Sequence, residues 1–439
     1  MSGTPDARTP PPNPLARSIT YTFAPGEIDA LVGERLAHLG KTARINGFRP
    51  GHVPMRVMRG RWGGRCLAEV LSEKAGARFA EESAAMSERP ASSPQMTPSA
   101  VAAEDGYRVE CRYEAMPEVA APDLSAQKIR RPALEIGDAE VDEMIARLRR
   151  DSAEYAEVAR AARSDDLLDV NFRARRGDAI VEEEKNRRWI LDSPMLKGEV
   201  ADALLGASAG DSREVALKHD DNHPDESLRG TETRMEIHVN KVSEPRLPEL
   251  DGEFFARFGV KDGGDAFRKM VGARLKTEVE QRMRRVVHDQ AMNALLAATP
   301  KFDLPYALVR MEAASMHSRM LREARARGLP QASAKMAPRM FSEAARRVAL
   351  GLIIAGWRER EKIEISDADV DARLDEIAGG YEDPAEFKTR ARRDEQMMHA
   401  LRLEMLERRA AEWVCARADT SDEKTSLSQL LSGDGGADA

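Results

Sequence analysis

Aromatic residues are scarce, 5% of 439 positions, and cysteine is nearly absent: Cys66, Cys111 and Cys415 lie far apart, with no C-x-x-C spacing and no H-x-x-x-H pairing beside them. Such a set builds neither a disulfide framework nor a structural zinc site, so no metal is expected. Long apolar runs are missing too. The opening MSGTPDARTPPPNPLARS holds no apolar stretch of about 7 to 15 residues, which argues against a secretory signal, and no run of about 18 apolar residues occurs anywhere. A soluble, cytoplasmic protein with no membrane contact is the expectation. A phosphate cradle is also lacking. GLIIAGW at 351–357 and GVKDGGD at 259–265 carry no Lys-Ser/Thr pair, so neither a nucleotide nor any other cofactor is expected.

What the chain has in plenty is charge, 33% of its residues, which favours long solvated helices over a compact aromatic-rich enzyme. Its length predicts about two to four domains. The formal net charge of −7 is unevenly spread: acids crowd 135–157 and the C-terminal tail, whereas basic residues gather between 44 and 65. Bulk charge therefore does not mark a general nucleic-acid binder; RNA contact would need a local patch.

That basic stretch, RINGFRPGHVPMRVMRGRWGG at 44–64, makes little sense as core. Gly47, Gly51, Pro50 and Pro54 break helix and strand alike, which predicts an exposed loop, with a second helix from about Cys66 to Met86. Phe48 and Arg49 side by side, with Arg44, Arg56, Arg59, Arg61 and Arg65 nearby, suit an acidic partner. On chemistry alone the alternative stands beside it: a surface turn in which Phe48 folds back onto its own domain.

The string Gly47-Phe48-Arg49-x-Gly51-x-Val53-Pro54 resembles the ribosome-docking signature G-F-R-x-G-K-x-P of the bacterial trigger factors. Two further runs are similar to family landmarks, KVSEPRLPELDGEFFARFGVKDG at 241–263 and FDLPYALV at 302–309, in the family's order. The resemblance implies an α+β multidomain fold: an N-terminal α+β ribosome-binding domain, an FKBP-like β-rich domain and an elongated all-α C-terminal domain with helical arms. It implies an ATP-independent chaperone that docks on the large ribosomal subunit near the exit tunnel, through protein and rRNA, and assists the folding and export of nascent polypeptides. Arg44, Gly47, Phe48, Arg49, Pro50, Gly51 and His52 would make the docking site, with Pro50 and His52 standing where the family often has lysines. A homodimer off the ribosome is left open by the resemblance. So are two rivals, a free cytosolic holdase and a dedicated prolyl isomerase.

Along the chain, the expected boundaries are a disordered extension at 1–15, the ribosome-binding domain at 16–117, a linker at 118–160, the FKBP-like domain at 161–243, the helical domain at 244–425 and a disordered tail at 426–439. SITYTF and YRVECRYE alternate as strands, Arg89 to Ala100 reads as a Pro/Ser loop, and IGDAEVDEMIARLRRDSAEY is an amphipathic helix with Asp138 as N-cap. From Leu167 to Val242 the period is strand-like, with GDAIVEEEKN at 177–186 as an acidic loop. Beyond Pro248 long helices dominate. Their methionines, among them Met311, Met320 and Met336, would supply adaptable apolar surface, although any single one is as readily a core gap-filler.

An FKBP-like pocket grips the proline ring in a dry aromatic box. The resemblance assigns Phe172, Trp189, Val200, His223 and Met235 to that box. Phe172 and Trp189 match family aromatics, while Val200, His223 and Met235 replace a phenylalanine, a tyrosine and a phenylalanine. Each lost ring removes about 1 to 3 kcal/mol of apolar contact, so the isomerase activity is expected to be weak. Read as residues alone, Phe172 and Trp189 are also ordinary core, and His223 an ordinary solvated histidine.

Overall fold

The computed structural model describes residues 13–44, 46, 48, 52–99, 106–193, 196, 198–220, 228–328, 338–381 and 383–432. In chain order its elements are β1 (Ala16–Phe23), α1 (Pro25–Thr42), α2 (Met55–Ser83), β2 (Gln95–Pro98), β3 (Tyr107–Glu114), β4 (Lys128–Ala133), α3 (Asp138–Asp151), β5 (Glu154–Glu157), β6 (Leu167–Arg176), β7 (Ala179–Ile190), α4 (Gly198–Leu204), β8 (Ser212–Lys218), β9 (Glu232–Arg246), α5 (Gly252–Arg257), α6 (Gly264–Ala298), α7 (Tyr306–Ala326), α8 (Pro338–Glu361), α9 (Asp367–Ala378), α10 (Pro384–Arg393), α11 (Glu395–Arg417), β10 (Asp419–Lys424) and α12 (Leu427–Ser432). The fold is α+β and multidomain. Two compact units divide it, one of 1–131 with 286–423, the other of 132–285 with 424–439.

In the first unit β1, β3 and β2 form an antiparallel sheet in the order β1-β3-β2. Helices α1 and α2 cover one face. Ile28, Val32 and Leu36 recur every four residues on α1 and are buried, each contributing about 2 kcal/mol of apolar burial. They meet Met58, Cys66, Val70 and Phe79 of α2 and Val109 and Cys111 of β3. Tyr21 of β1 donates its hydroxyl to Glu82 at 2.8 Å, and burial together with that carboxylate pushes its pKa up to about 12. The segment read as a Pro/Ser loop holds β2, with Pro98 closing an edge strand where a missing N–H is tolerated.

Helix α2 begins eleven residues earlier than the sequence predicts, at Met55 instead of Cys66. Pro54 is its N-cap, and burial of Met58 and Cys66 with Trp62 packed beside them outweighs the low propensity of Gly60, Gly63 and Gly64. At Gly60 and Gly64 an added Cβ meets nothing within 4 Å. Alanine at these two positions is therefore expected to stabilise the unit by about 0.5–1 kcal/mol each, measured by urea unfolding. Unchanged or lowered midpoints would contradict a helix through this stretch.

The helical part of this unit packs Ala291, Met292 and Leu295 of α6 with Ile353 and Trp357 of α8 and Ala410 and Val414 of α11. Leu124 and Ile129 join the same core, so 118–131 is packed and not a free linker. Gln290 fixes it by accepting from Arg130 N–H at 2.8 Å and donating to the Arg130 carbonyl at 2.9 Å. Helices α7 and α8 form a hairpin around Val309, Ala313 and Ala344. Helices α9, α10 and α11 enclose Val370, Leu374, Phe387 and Leu401, with Ser366 and Asp369 capping α9 reciprocally and Asp383 capping α10 ahead of Pro384.

In the second unit five strands form one antiparallel sheet, β5-β9-β6-β7, with β8 also paired to β9. β5 thus belongs to the sheet although the sequence placed it in a linker. Helix α3 is equally bound: Val141 and Ile145 pack on Phe254, Phe255, Phe267 and Val271. Its N-cap is Gly137 and not Asp138, and Glu140 accepts from the Gly137 N–H at 2.9 Å. The expected acidic loop is most of β7, an edge strand whose runs of Glu, Lys and Arg keep other chains from pairing with it. At the chain ends, 1–12 and 433–439 lie outside the described residues. Leu15 accepts at its carbonyl from Ala115 N–H, and α12 buries Leu427 and Leu430, so neither 13–15 nor 427–432 is disordered.

Of the methionines, Met292 is buried, Met397, Met398 and Met405 pack beside the α9–α11 core, and Met311 and Met320 are exposed. Met336 lies outside the described residues.

Candidate functional site

Helix α1 ends where Ala43 N–H bonds the Leu39 carbonyl at 2.9 Å, and α2 opens where Val57 N–H bonds the Pro54 carbonyl at 2.9 Å. Of the ten residues between these caps, 44, 46, 48, 52 and 53 are described. Of the docking residues, Arg44, Phe48 and His52 are described and exposed, whereas Gly47, Arg49, Pro50 and Gly51 lie outside the described residues. Phe48 is 39% exposed and so does not fold back into the core. Leu39 at 37% and Met55 at 42%, at the two adjoining helix ends, are exposed beside it in the chain. Arg56, Arg59 and Arg61 are exposed along the first turns of α2. Arg61 stacks on the Trp62 ring at 5.4 Å, and Arg65 is engaged by Glu69 at 2.7 Å. Exposed apolar side chains at Leu39, Phe48 and Met55 beside exposed arginines make a surface that suits a partner both apolar and anionic.

The isomerase-like residues stand differently. Phe172 on β6 and Trp189 on β7 stack with ring centroids 5.1 Å apart, and alternation along β6 sends Leu168, Val170 and Phe172 to one face. Register places Phe172 opposite Ile237 and Ala174 opposite Met235 of β9, and α4 adds Val200 and Leu204. Four of the five named residues thus share one cluster, but as core: Phe172 and Val200 are buried, and Trp189 and Met235 are half-buried against them. His223 lies outside the described residues.

Two features of this unit escaped the sequence reading. The sheet also borders an open groove of about 550 Å³, whose lining includes Asn171, Arg173, Glu183, Glu214 and His238 together with Phe172 and Ile237. Asn171 and Asn240 exchange amide hydrogen bonds at 3.0 Å there, and Arg173 holds Glu183 at 2.7 Å. Polar residues at every second position of β6 and β9 were the signal. The second is Asp166, 1% exposed, whose carboxylate takes both arms of the Arg160 guanidinium at 2.6 and 2.9 Å and the Arg163 N–H at 2.8 Å. Arg160 also reaches Glu244 at 3.2 Å, tying the entry of β6 to β9. Burial alone would raise the Asp166 pKa; the Arg160 and Arg163 hydrogen bonds outweigh it and hold the carboxyl below its ordinary value.

Among the described residues no group of three or more His, Cys, Asp or Glu side chains is placed to hold a metal. No described helix is long and apolar enough to cross a membrane.

Residues 9–148 match the family described as bacterial trigger factor protein, and residues 265–416 match the description of its C-terminus. The trigger factor of Saccharophagus degradans is 31% identical over 428 residues, covering 95% of this chain and 96% of that one. That of Halorhodospira halophila is 31% identical over 433 residues, 97% of each chain. That of Thioalkalivibrio sulfidiphilus is 30% identical over 426 residues, 95% of this chain and 96% of its own. With likeness running through the hairpin loop, the sheet unit and the helical region alike, this chain belongs to the bacterial trigger factor family, whose members are ribosome-associated chaperones.

Proposed function

We propose that this chain docks on the large ribosomal subunit beside the exit of the nascent polypeptide, through the loop centred on Phe48 and Arg49, and holds emerging segments without nucleotide hydrolysis. The observation that carries this reading is the exposed Phe48 between two capped helices, flanked in sequence by exposed Leu39, Met55 and arginines. Apolar insertion would give the contact its lifetime, and arginine contact with phosphate its salt dependence. Histidine and proline in place of lysines reduce the cationic count, so binding weaker than that of a lysine-bearing relative follows.

Cosedimentation with ribosomes tests it. Phe48→Ala with Arg49→Ala and Pro50→Ala is expected to abolish pelleting while leaving helical content unchanged, because the loop contributes little to either helix. Pelleting equal to the unaltered chain would sink the assignment. Client holding belongs in this reading to the helical region, where Tyr306 and Met311 on α7 and Leu403 on α11 are exposed. Prolyl isomerisation is a minor activity at most, since Phe172 and Val200 are committed to the core.

A further inference from the structure

We propose that the far half of the α7–α8 hairpin is a second RNA-binding surface, a cationic foothold on ribosomal RNA separate from the Phe48 loop. Over the described residues 317–328 and 338–347, seven arginines stand against two carboxylates, Glu323 and Glu343, in a chain whose formal net charge is −7. Arg319, Arg322, Arg325 and Arg327 on or just past the end of α7 and Arg339 at the start of α8 are exposed. Their surroundings differ from those of Arg346 and Arg347, further along α8. Arg347 is held by Glu312 at 3.5 Å and Glu343 at 3.3 Å, and Arg346 donates to Asn293 at 2.7 Å. The five outer guanidiniums form no ion pair among the described residues.

The geometry favours a polyanion. Steps of three residues along α7 rise about 4.5 Å, so Arg319, Arg322 and Arg325 make a ladder of cations instead of one point charge. Guanidinium matches phosphate oxygens with two parallel hydrogen bonds, which ammonium cannot do. Self-repulsion of this ladder costs stability in the free chain and is relieved when dense phosphate charge lies against it. An apolar client is a poorer occupant. The most exposed apolar side chains of α7, Tyr306 at 60% and Met311 at 61%, sit in its first turns; among the described residues of the far half only Met320, at 38%, is an exposed large apolar side chain beside the five arginines.

The identity of the RNA as ribosomal rests on the docking reading above, so the test separates the two. A variant with glutamine at Arg319, Arg322, Arg325, Arg327 and Arg339 is titrated, as the full chain, against fluorescein-labelled poly(U) of about 20 nucleotides by anisotropy. It is also pelleted with ribosomes, alongside Phe48→Ala. The unaltered chain is expected to bind poly(U) at low salt, and the glutamine variant to bind at least about tenfold more weakly, with a log–log salt slope shallower by about 3 to 5. Phe48→Ala should leave poly(U) binding intact, and ribosome pelleting of the glutamine variant should become less sensitive to salt. Lysine at the same five positions keeps the charge and should restore most of the slope. Equal poly(U) binding by the unaltered chain and the glutamine variant would overturn the surface. Loss of poly(U) binding with ribosome pelleting and its salt slope unchanged would overturn ribosomal RNA as the occupant. Tighter, arginine-dependent binding of poly-glutamate than of poly(U) would make it a surface for acidic polypeptide instead.

Discussion

Asp166→Asn is expected to lower the stability of the sheet unit by about 3 kcal/mol, because it leaves Arg160 half-sunk with Glu244 as its one carboxylate partner among the described residues. The paired carboxylate tethers the start of β6 to the end of β9, so its loss should be felt in both strands. Hydrogen exchange of β6 and β9 amides reads this directly, with faster exchange there and little change in α1 and α2. The pH dependence has a definite sign. The folded pKa lies below the unfolded value of about 3.9, so the contribution is fully present above about pH 4 and fades as pH falls through the folded value. The gap between the unaltered chain and Asp166→Asn should therefore close in acid. A gap that persists unchanged down to pH about 2 would show that the charge on Asp166 is not what holds the strands.

The second large effect concerns the isomerase-like core. Sequence reasoning alone would suggest rebuilding an aromatic box by Val200→Phe with His223→Tyr. The structure indicates the opposite outcome: Val200 is buried against Leu204 and the β6–β9 layer, so a ring there overpacks the core and costs about 1–3 kcal/mol. In a proline-limited refolding assay the unaltered chain should give a small acceleration, and Val200→Phe should lower stability without raising the rate. A rate near that of an efficient isomerase in the unaltered chain would mean that Phe172 and Trp189 open to a proline ring despite their stacking.

Period-2 alternation made β1, β3, β6 and β9 legible, since each turns one apolar face to a core, as Val109 with Cys111 and Val170 with Phe172 do. The elements that stayed hidden are those where tertiary burial or edge position overrides local preference. Three glycines concealed the first turns of α2, because the stabilising partners of Met58 and Cys66 come from α1 and β3. β7 was hidden by its exposure, with Ile180 51% exposed and little apolar alternation to read. Helix α12 was too short to announce itself beside a Gly/Asp tail. At the sites, the docking string and the stacked pair Phe172 and Trp189 could be named in advance from family likeness. Their setting could not, because whether an aromatic lines a pocket or fills a core depends on residues distant in the chain. The Arg160 and Asp166 pair, six residues apart, has no pattern in the sequence that marks it; only the folded chain places the carboxylate out of water.

Ribosome docking through the Phe48 loop is most directly tested by placing a photoreactive benzoylphenylalanine at position 48 of the full chain, irradiating with ribosomes and identifying the cross-linked component. The expected product is a single band to a large-subunit component at the tunnel exit, lost when unlabelled chain competes and joined to the same component when the α7–α8 arginines are glutamine. Cross-links confined to the chain itself, or absent although the chain pellets with ribosomes, would contradict the account.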